Sequence, residues 1–269
     1  MAKLFIARKG NYAIVSGVVK KMKEEQDGKV VNVVLEGDVY DKDSGMESKK
    51  RITIGFWNSE KTDDLLNNKN QLANQVKSAK MYVGAFIMAK VYIKDDNYYG
   101  QAFRYTGRLS LAPEEGKEGD KGLNVFLGSV SSVRTNAEKG VANINMPFDD
   151  SRYNENGEKV GFGLVNHEIA FWDNENKKPT GAVVKYLTPK EENGEKKYVK
   201  VLVVAGEVKG NHTFNDGEGF STNYTGFRWE FAPTSKKSDS DSVSEPDAPE
   251  DEDGFMNIPD GIEDGLPFN

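Results

Sequence analysis

The sequence predicts an all-β protein with one helix in its first half: two small five-stranded barrels in tandem, then an acidic tail that does not fold. Three observations predict it. Short runs of β-branched and aromatic residues alternate with turn residues along most of the 269 residues. Segments of the first half recur, in order, in the second. From Ser235 onward, Ser, Asp, Glu and Pro dominate, and apolar residues return only near the end.

In the first copy, residues 12–19, 30–40 and 52–57 read as strands, with Gly28 and residues 41–45 as turns. Residues 62–80 read as a helix. Leu65, Leu66, Leu72, Ala73 and Val76 recur at helical spacing, Thr62 can cap the start, and Asp63, Asp64, Lys77 and Lys80 suit the helix dipole. Strands return over 82–93 and 101–111. Three strands, a helix and two strands make the OB architecture. The second copy repeats the strands over 125–133, 141–146, 162–172, 198–208 and 221–231. Pro179, Gly181 and Pro189 interrupt its helix region and leave a turn around 182–187.

The repeat rests on three correspondences. Ile54-Gly55-Phe56-Trp57-Asn58 aligns with Ile169-Ala170-Phe171-Trp172-Asp173, the opening NYAIVSGVVKK with NVFLGSVSSV, and Tyr105-Thr106-Gly107 with Tyr224-Thr225-Gly226. The division follows: a first domain over 1–113, a Gly-rich linker over 114–122, a second domain over 123–233 and a tail over 234–269.

Composition narrows the classes. Without cysteine there is no disulfide and no thiolate metal site, which fits a reducing cytoplasm. No apolar run is long enough for a signal-peptide core or a membrane span. The net charge of −7 divides unevenly: the tail from Ser235 has 2 Lys against 11 acids, so the body before it is slightly basic, most of all in its first half. No HExxH, P-loop or nucleophile-elbow pattern surrounds His167, His212 or any other residue, and Asp149 and Asp150 read as a solvated loop. The chain is expected to be no enzyme, with no cofactor and no metal.

A mildly basic barrel with interleaved aromatics has the two things a single strand needs: cations for phosphates and ring faces for unpaired bases. The candidate cations are Lys20 and Lys21, with Lys23, at the end of the first strand, Lys49, Lys50 and Arg51 at the third, Lys90 and Lys94 on the fourth and Arg104 on the fifth. The candidate rings are Tyr40, Trp57, Tyr92, and Tyr98 and Tyr99, read as the tip of a hairpin. In the second copy they are Trp172, Phe214 and Tyr224. Phe56, Phe86, Phe103, Phe171 and Phe231 are assigned to packing. Period two then puts Trp57 and Trp172 on the face opposite Phe56 and Phe171.

With these elements in place, the chain resembles the bacterial and phage single-stranded DNA-binding protein family. ITIGFWNSEK, a helix containing QLANQV and YVGAFIMAKVYI carry the resemblance in the first copy, with Ala89 where the family commonly has Gly. The ending IEDGLPFN carries it in the tail: Glu263, Asp264, Leu266, Pro267 and Phe268 match the family's acidic tip, while Asn269 displaces its terminal carboxylate. FMNIPDG upstream looks like a weaker copy of that tip. The resemblance implies single-stranded DNA as ligand, in replication, recombination and repair, with partner proteins of those processes recruited by the tip. By analogy with tandem members, a homodimer would present four barrels, with a monomer as the alternative. Two other readings fit the residues: a non-catalytic protein-interaction scaffold built on OB barrels, and a binder of single-stranded RNA. A nuclease with an unrecognised site is a third.

Overall fold

The computed structural model describes residues 3–40, 47–58, 71–112, 122–149, 161, 163–207, 212–214 and 219–233. They form two units that divide between Phe103 and Arg104.

The first unit contains β1 (Phe5–Lys9), β2 (Tyr12–Glu25), β3 (Val30–Tyr40), β4 (Glu47–Trp57), α1 (Leu72–Ser78), β5 (Phe86–Lys94) and β6 (Asn97–Arg104). The sheet runs β1-β2-β3-β4-β6-β5, and β5 pairs back onto β2, so five strands close into a barrel with β1 added at one edge. β2 can serve three neighbours because it is long. Its first half pairs β1 and β5, and its second half pairs β3. The bend falls at Lys20, which the register skips between Val19 and Lys21. Alternate residues fill the interior, among them Val15, Val19, Val33, Leu35, Ile54, Phe56, Ile87 and Val91, all fully buried.

The barrel closes by a short parallel pairing, Ile54 with Tyr98 and Gly55 with Tyr99. The next residue on β6 is Gly100, where a Cβ would stand 2.3 Å from the Phe56 ring. Only glycine lets β6 approach with Phe56 inside.

The second unit contains β7 (Gly107–Leu111), β8 (Leu123–Ser129), β9 (Ser132–Asn136), β10 (Val141–Asp149), β11 (Leu164–Trp172), α2 (Pro179–Leu187), a small hairpin of β12 (Lys190–Glu192) and β13 (Glu195–Lys197), β14 (Lys200–Glu207), β15 (His212–Phe214) and β16 (Gly219–Phe231). Its order is β7-β8-β14-β16-β11-β10-β9. β8 and β9 are two halves of one long strand broken at Val130 and Ser131, so this sheet is the same barrel. β11 and β16 pair in parallel, Ile169 with Tyr224 and Ala170 with Thr225. Gly226 follows, and a Cβ there would stand 2.6 Å from the Phe171 ring. The two units therefore share the OB plan down to a glycine facing a phenylalanine.

Several expectations change. The fifth strand expected over 101–111 is two strands, and the second, β7, pairs β8 of the second unit. The division thus falls after Phe103, ten residues before the expected end at 113. Of the expected linker, only Gly122 lies within the described residues; so does none of the tail beyond Pro233. Register also matches Tyr224-Thr225-Gly226 to Tyr98-Tyr99-Gly100, in place of Tyr105-Thr106-Gly107. The helix expected in the first copy alone occurs in both. Pro179 sits at the first turn of α2, where its missing N–H costs nothing, and Pro189 lies past its end. The described helix of the first unit starts only at Leu72, after Gln71 bridges Asn58; Thr62 lies outside the described residues.

Gly100→Ala should destabilise the chain by ~1–3 kcal/mol through overpacking against Phe56. Gly181→Ala, in α2 where nothing lies within 4 Å of the added Cβ, should stabilise it by ~0.5–1 kcal/mol. Urea-denaturation midpoints measured for both variants check the pair.

Candidate nucleic-acid interface

Because Val33, Leu35, Ile52, Ile54 and Phe56 point inward, the residues between them build an outer face on β2, β3 and β4. Cross-strand pairing sets its rows. Lys21 faces Val34, which faces Thr53. Lys23 faces Asn32, Asn32 faces Gly55, and Gly55 faces Tyr99. Trp57 stands opposite Val30 and is 41% exposed, as its alternation with the buried Phe56 predicts. Its indole folds back over the bare Gly55: a Cβ there would meet Nε1 at 2.9 Å and the Asn32 Oδ1 at 3.3 Å. Trp57 and the half-buried Tyr99 therefore flank one glycine, with Asn32 between Trp57 and the lysines.

At the other end of this face, Arg51 donates from Nε to Glu36 at 2.8 Å. That hydrogen bond holds the Glu36 carboxyl below its ordinary value of 4.5; partial burial opposes it, and the charges of Arg51, Lys20 and Lys49 add to it. Lys20, Lys49 and Arg51 thus converge on one carboxylate. Lys23 pairs with Glu25 at 3.2 Å on the open surface, a contact easily exchanged for another anion.

Other candidates go elsewhere. Lys50 is half-buried and opposite Gly37. Lys90, Tyr92 and Lys94 lie on β5, across β2 from β3. The Lys90 ammonium sits 5.7 Å from the ring centre of Tyr12, and Tyr12 lies 5.2 Å from Tyr92. Tyr12 has no distinguishing mark in the sequence, yet it is 44% exposed. The hairpin tip is Asp95-Asp96, both at positive φ, so Tyr98 and Tyr99 lie within β6, beyond the turn. Tyr98 shares the side of the buried Ile54, and burial raises its phenol above 10, with Arg8 opposing and Asp96 adding. Arg104 is exposed where β6 ends. The side chains of Tyr40 and Phe214, and Glu263, Asp264, Leu266, Pro267 and Phe268, lie outside the described residues.

In the second unit, Trp172 is 49% exposed and opposite Val141. Ala170 faces Asn143, and Asn143 faces Arg134. Row by row, Trp172, Asn143 and Arg134 thus match Trp57, Asn32 and Lys23. The other positions differ. Ser132 stands where the first unit has Lys21, Glu168 where it has Thr53, Asn166 where it has Arg51, and Thr225 where it has Tyr99. Tyr224, expected on the surface, is 1% exposed. It faces inward with Ile169, takes a hydrogen bond from Arg108 at 2.9 Å, and packs against Phe126 and His167. Phe231, expected in the core, is exposed beside Trp229 and Tyr186.

Asn32 and Asn143 are absent from the sequence-derived candidates. Their signal is a polar residue interrupting an apolar strand, in VVNVV and in VANIN.

Solved structures similar to the chain include two of the single-stranded DNA binding protein from Thermus aquaticus. A deletion mutant of that protein is 11% identical over 88% of this chain and 99% of that one, with a TM-score of 0.27. The wild type is 12% identical over 89% and 98%, with a TM-score of 0.26. No family model matches the chain, and no curated protein matches it.

The lowered Glu36 value makes a direct prediction. Above pH 4.5 its pairing with Arg51 stabilises the fold, and that contribution fades as pH falls through the folded-state value; screening at this site keeps it under ~1 kcal/mol. A carboxyl NMR titration should place Glu36 below 4.5 in the native chain and move it back towards 4.5 in Arg51→Gln.

Proposed function

We propose that the chain binds single-stranded DNA without sequence preference, through the outer face of β2, β3 and β4. One observation carries the reading: Trp57 and Tyr99 lie either side of Gly55 on a face that also holds Lys21, Lys23 and Arg51. Rings give bases a stacking surface and the cations meet the backbone, the pairing a flexible single strand requires and a stacked duplex does not offer. On this reading the chain is non-enzymatic. His167, one of two histidines, packs among Phe126, Phe148 and Tyr224 in the second core. The acidic tip from Glu263 to Phe268 recruits replication and repair proteins, with Phe268 and Leu266 entering an apolar pocket and the acids meeting a basic rim.

The second unit has a feature that favours a protein contact as well. Tyr186, Trp229 and Phe231 cluster at 5.3–6.3 Å, with Lys185 over Tyr186, and two of the three rings are exposed.

Tryptophan fluorescence during titration with oligo-dT tests the reading, with duplex DNA and single-stranded RNA as comparisons. The single strand should quench and the duplex should not. Three phosphate contacts by Lys21, Lys23 and Arg51 predict a slope of log K against log salt of about −2. Trp57→Ala should weaken binding by ~1–3 kcal/mol with the fold intact. Equal affinity for duplex, or an unchanged Trp57→Ala variant, would refute the interface.

A further inference from the structure

We propose that Asn32 and Asn143 contact base edges in a nucleotide subsite that occurs once in each unit, formed by Trp57, Asn32 and Lys23 in the first and by Trp172, Asn143 and Arg134 in the second. The inference rests on the single-stranded DNA reading and goes beyond it, because it gives the two barrels equivalent base contacts on faces of different charge.

Strand pairing puts the three residue types at matching positions. In each unit the tryptophan lies on the third barrel strand, two residues beyond the Gly55 or Ala170 that faces the asparagine. The asparagine in turn faces a cation on the neighbouring strand. Most other positions of the two faces carry different chemistry, yet ring, carboxamide and cation recur. Asparagine is a poor strand residue, and each of these interrupts an apolar run, so fold stability does not account for it. Asn143 Oδ1 is moreover shielded from solvent and accepts no hydrogen bond among the described residues, a costly state that a donor on a bound base would relieve after a turn of the amide. Asn145, two residues on, shows the contrast: its amide is engaged by Ser132 at 2.8 Å and Asn166 at 3.1 Å.

The chemistry assigns the parts. The indole stacks one base, the carboxamide donates to or accepts from that base's polar edge, and the lysine or arginine meets a neighbouring phosphate.

The test uses the full chain with Asn32→Leu, Asn143→Leu and the double variant. Affinities are measured for oligo-dT, oligo-dC and oligo-dA and for an abasic oligomer of the same length. Each single variant should lose about threefold, and the double about tenfold, on at least one base-bearing oligomer, with abasic binding unchanged. The Asn143→Leu urea midpoint should be equal to or above the parent's, since that substitution removes a shielded carbonyl with no hydrogen bond among the described residues. If the double variant keeps the parent's affinity for all three homopolymers while Trp57→Ala loses it, the subsite is overturned and single-strand binding stands. Equal losses on the abasic oligomer also overturn it. If the parent binds no single strand, both readings fall.

Discussion

Closure of each barrel depends on a phenylalanine that needs an empty place on the facing strand. Phe56 fills the first barrel only because Gly100 presents no side chain to it, and Phe171 fills the second only because Gly226 presents none. With the ring fixed inside, the pleat leaves the next residue no choice. Trp57 and Trp172 must leave the barrel. A large aromatic side chain on a sheet surface is costly to leave in water, yet here its position follows from the closure of the core.

The residue after each tryptophan holds the arrangement from the other side. Asn58 takes a backbone hydrogen bond from Asn74 of α1 and donates to its side chain. Asp173 accepts from the Thr180 amide at 3.1 Å and its hydroxyl at 2.7 Å, at the start of α2. The backbone N–H of each also donates to a turn residue, Asn58 to Lys29 at the β2–β3 turn and Asp173 to Gly140 at the β9–β10 turn. Each tryptophan thus sits between a buried phenylalanine and a residue anchored to a helix. Little backbone freedom remains at that point, so little entropy is left to lose when a ligand stacks there.

Alternation along a strand was legible in the sequence, and so were the repeat and the outward tryptophans, because they depend on near neighbours. What depends on pairing between distant strands was not. Tyr105-Thr106-Gly107 and Tyr224-Thr225-Gly226 share a tripeptide, but one spans a connection and the first residue of β7 while the other lies in a closing strand. Nothing local separates them. The same ambiguity hid β7, which reads as a continuation of β6 yet pairs with a strand that follows it. Tyr224 is hard to place for the same reason: its burial follows from standing beside Ile169. Phe231 departs from the expectation that an aromatic in a strand is inside: it stands opposite the buried Val201 at the end of β16, yet its ring lies exposed beside Tyr186 and Trp229. Pro179 and Gly181 concealed α2, whose start is stabilised by Asp173 from outside the helix.

The two faces divide the terms of binding unevenly. Lys21, Lys23 and Arg51 outweigh Glu36 on the first, with Lys20 and Lys49 close to that carboxylate. On the second, Arg134 is offset by Glu168, and serine and asparagine replace the remaining cations. Phosphate neutralisation falls steeply with salt, whereas stacking on a ring does not. On the proposed reading, a strand on the first face is released as ionic strength rises, while one on Trp172 depends mainly on contact with its bases, because the two faces carry ring and carboxamide at matching positions and different charge around them.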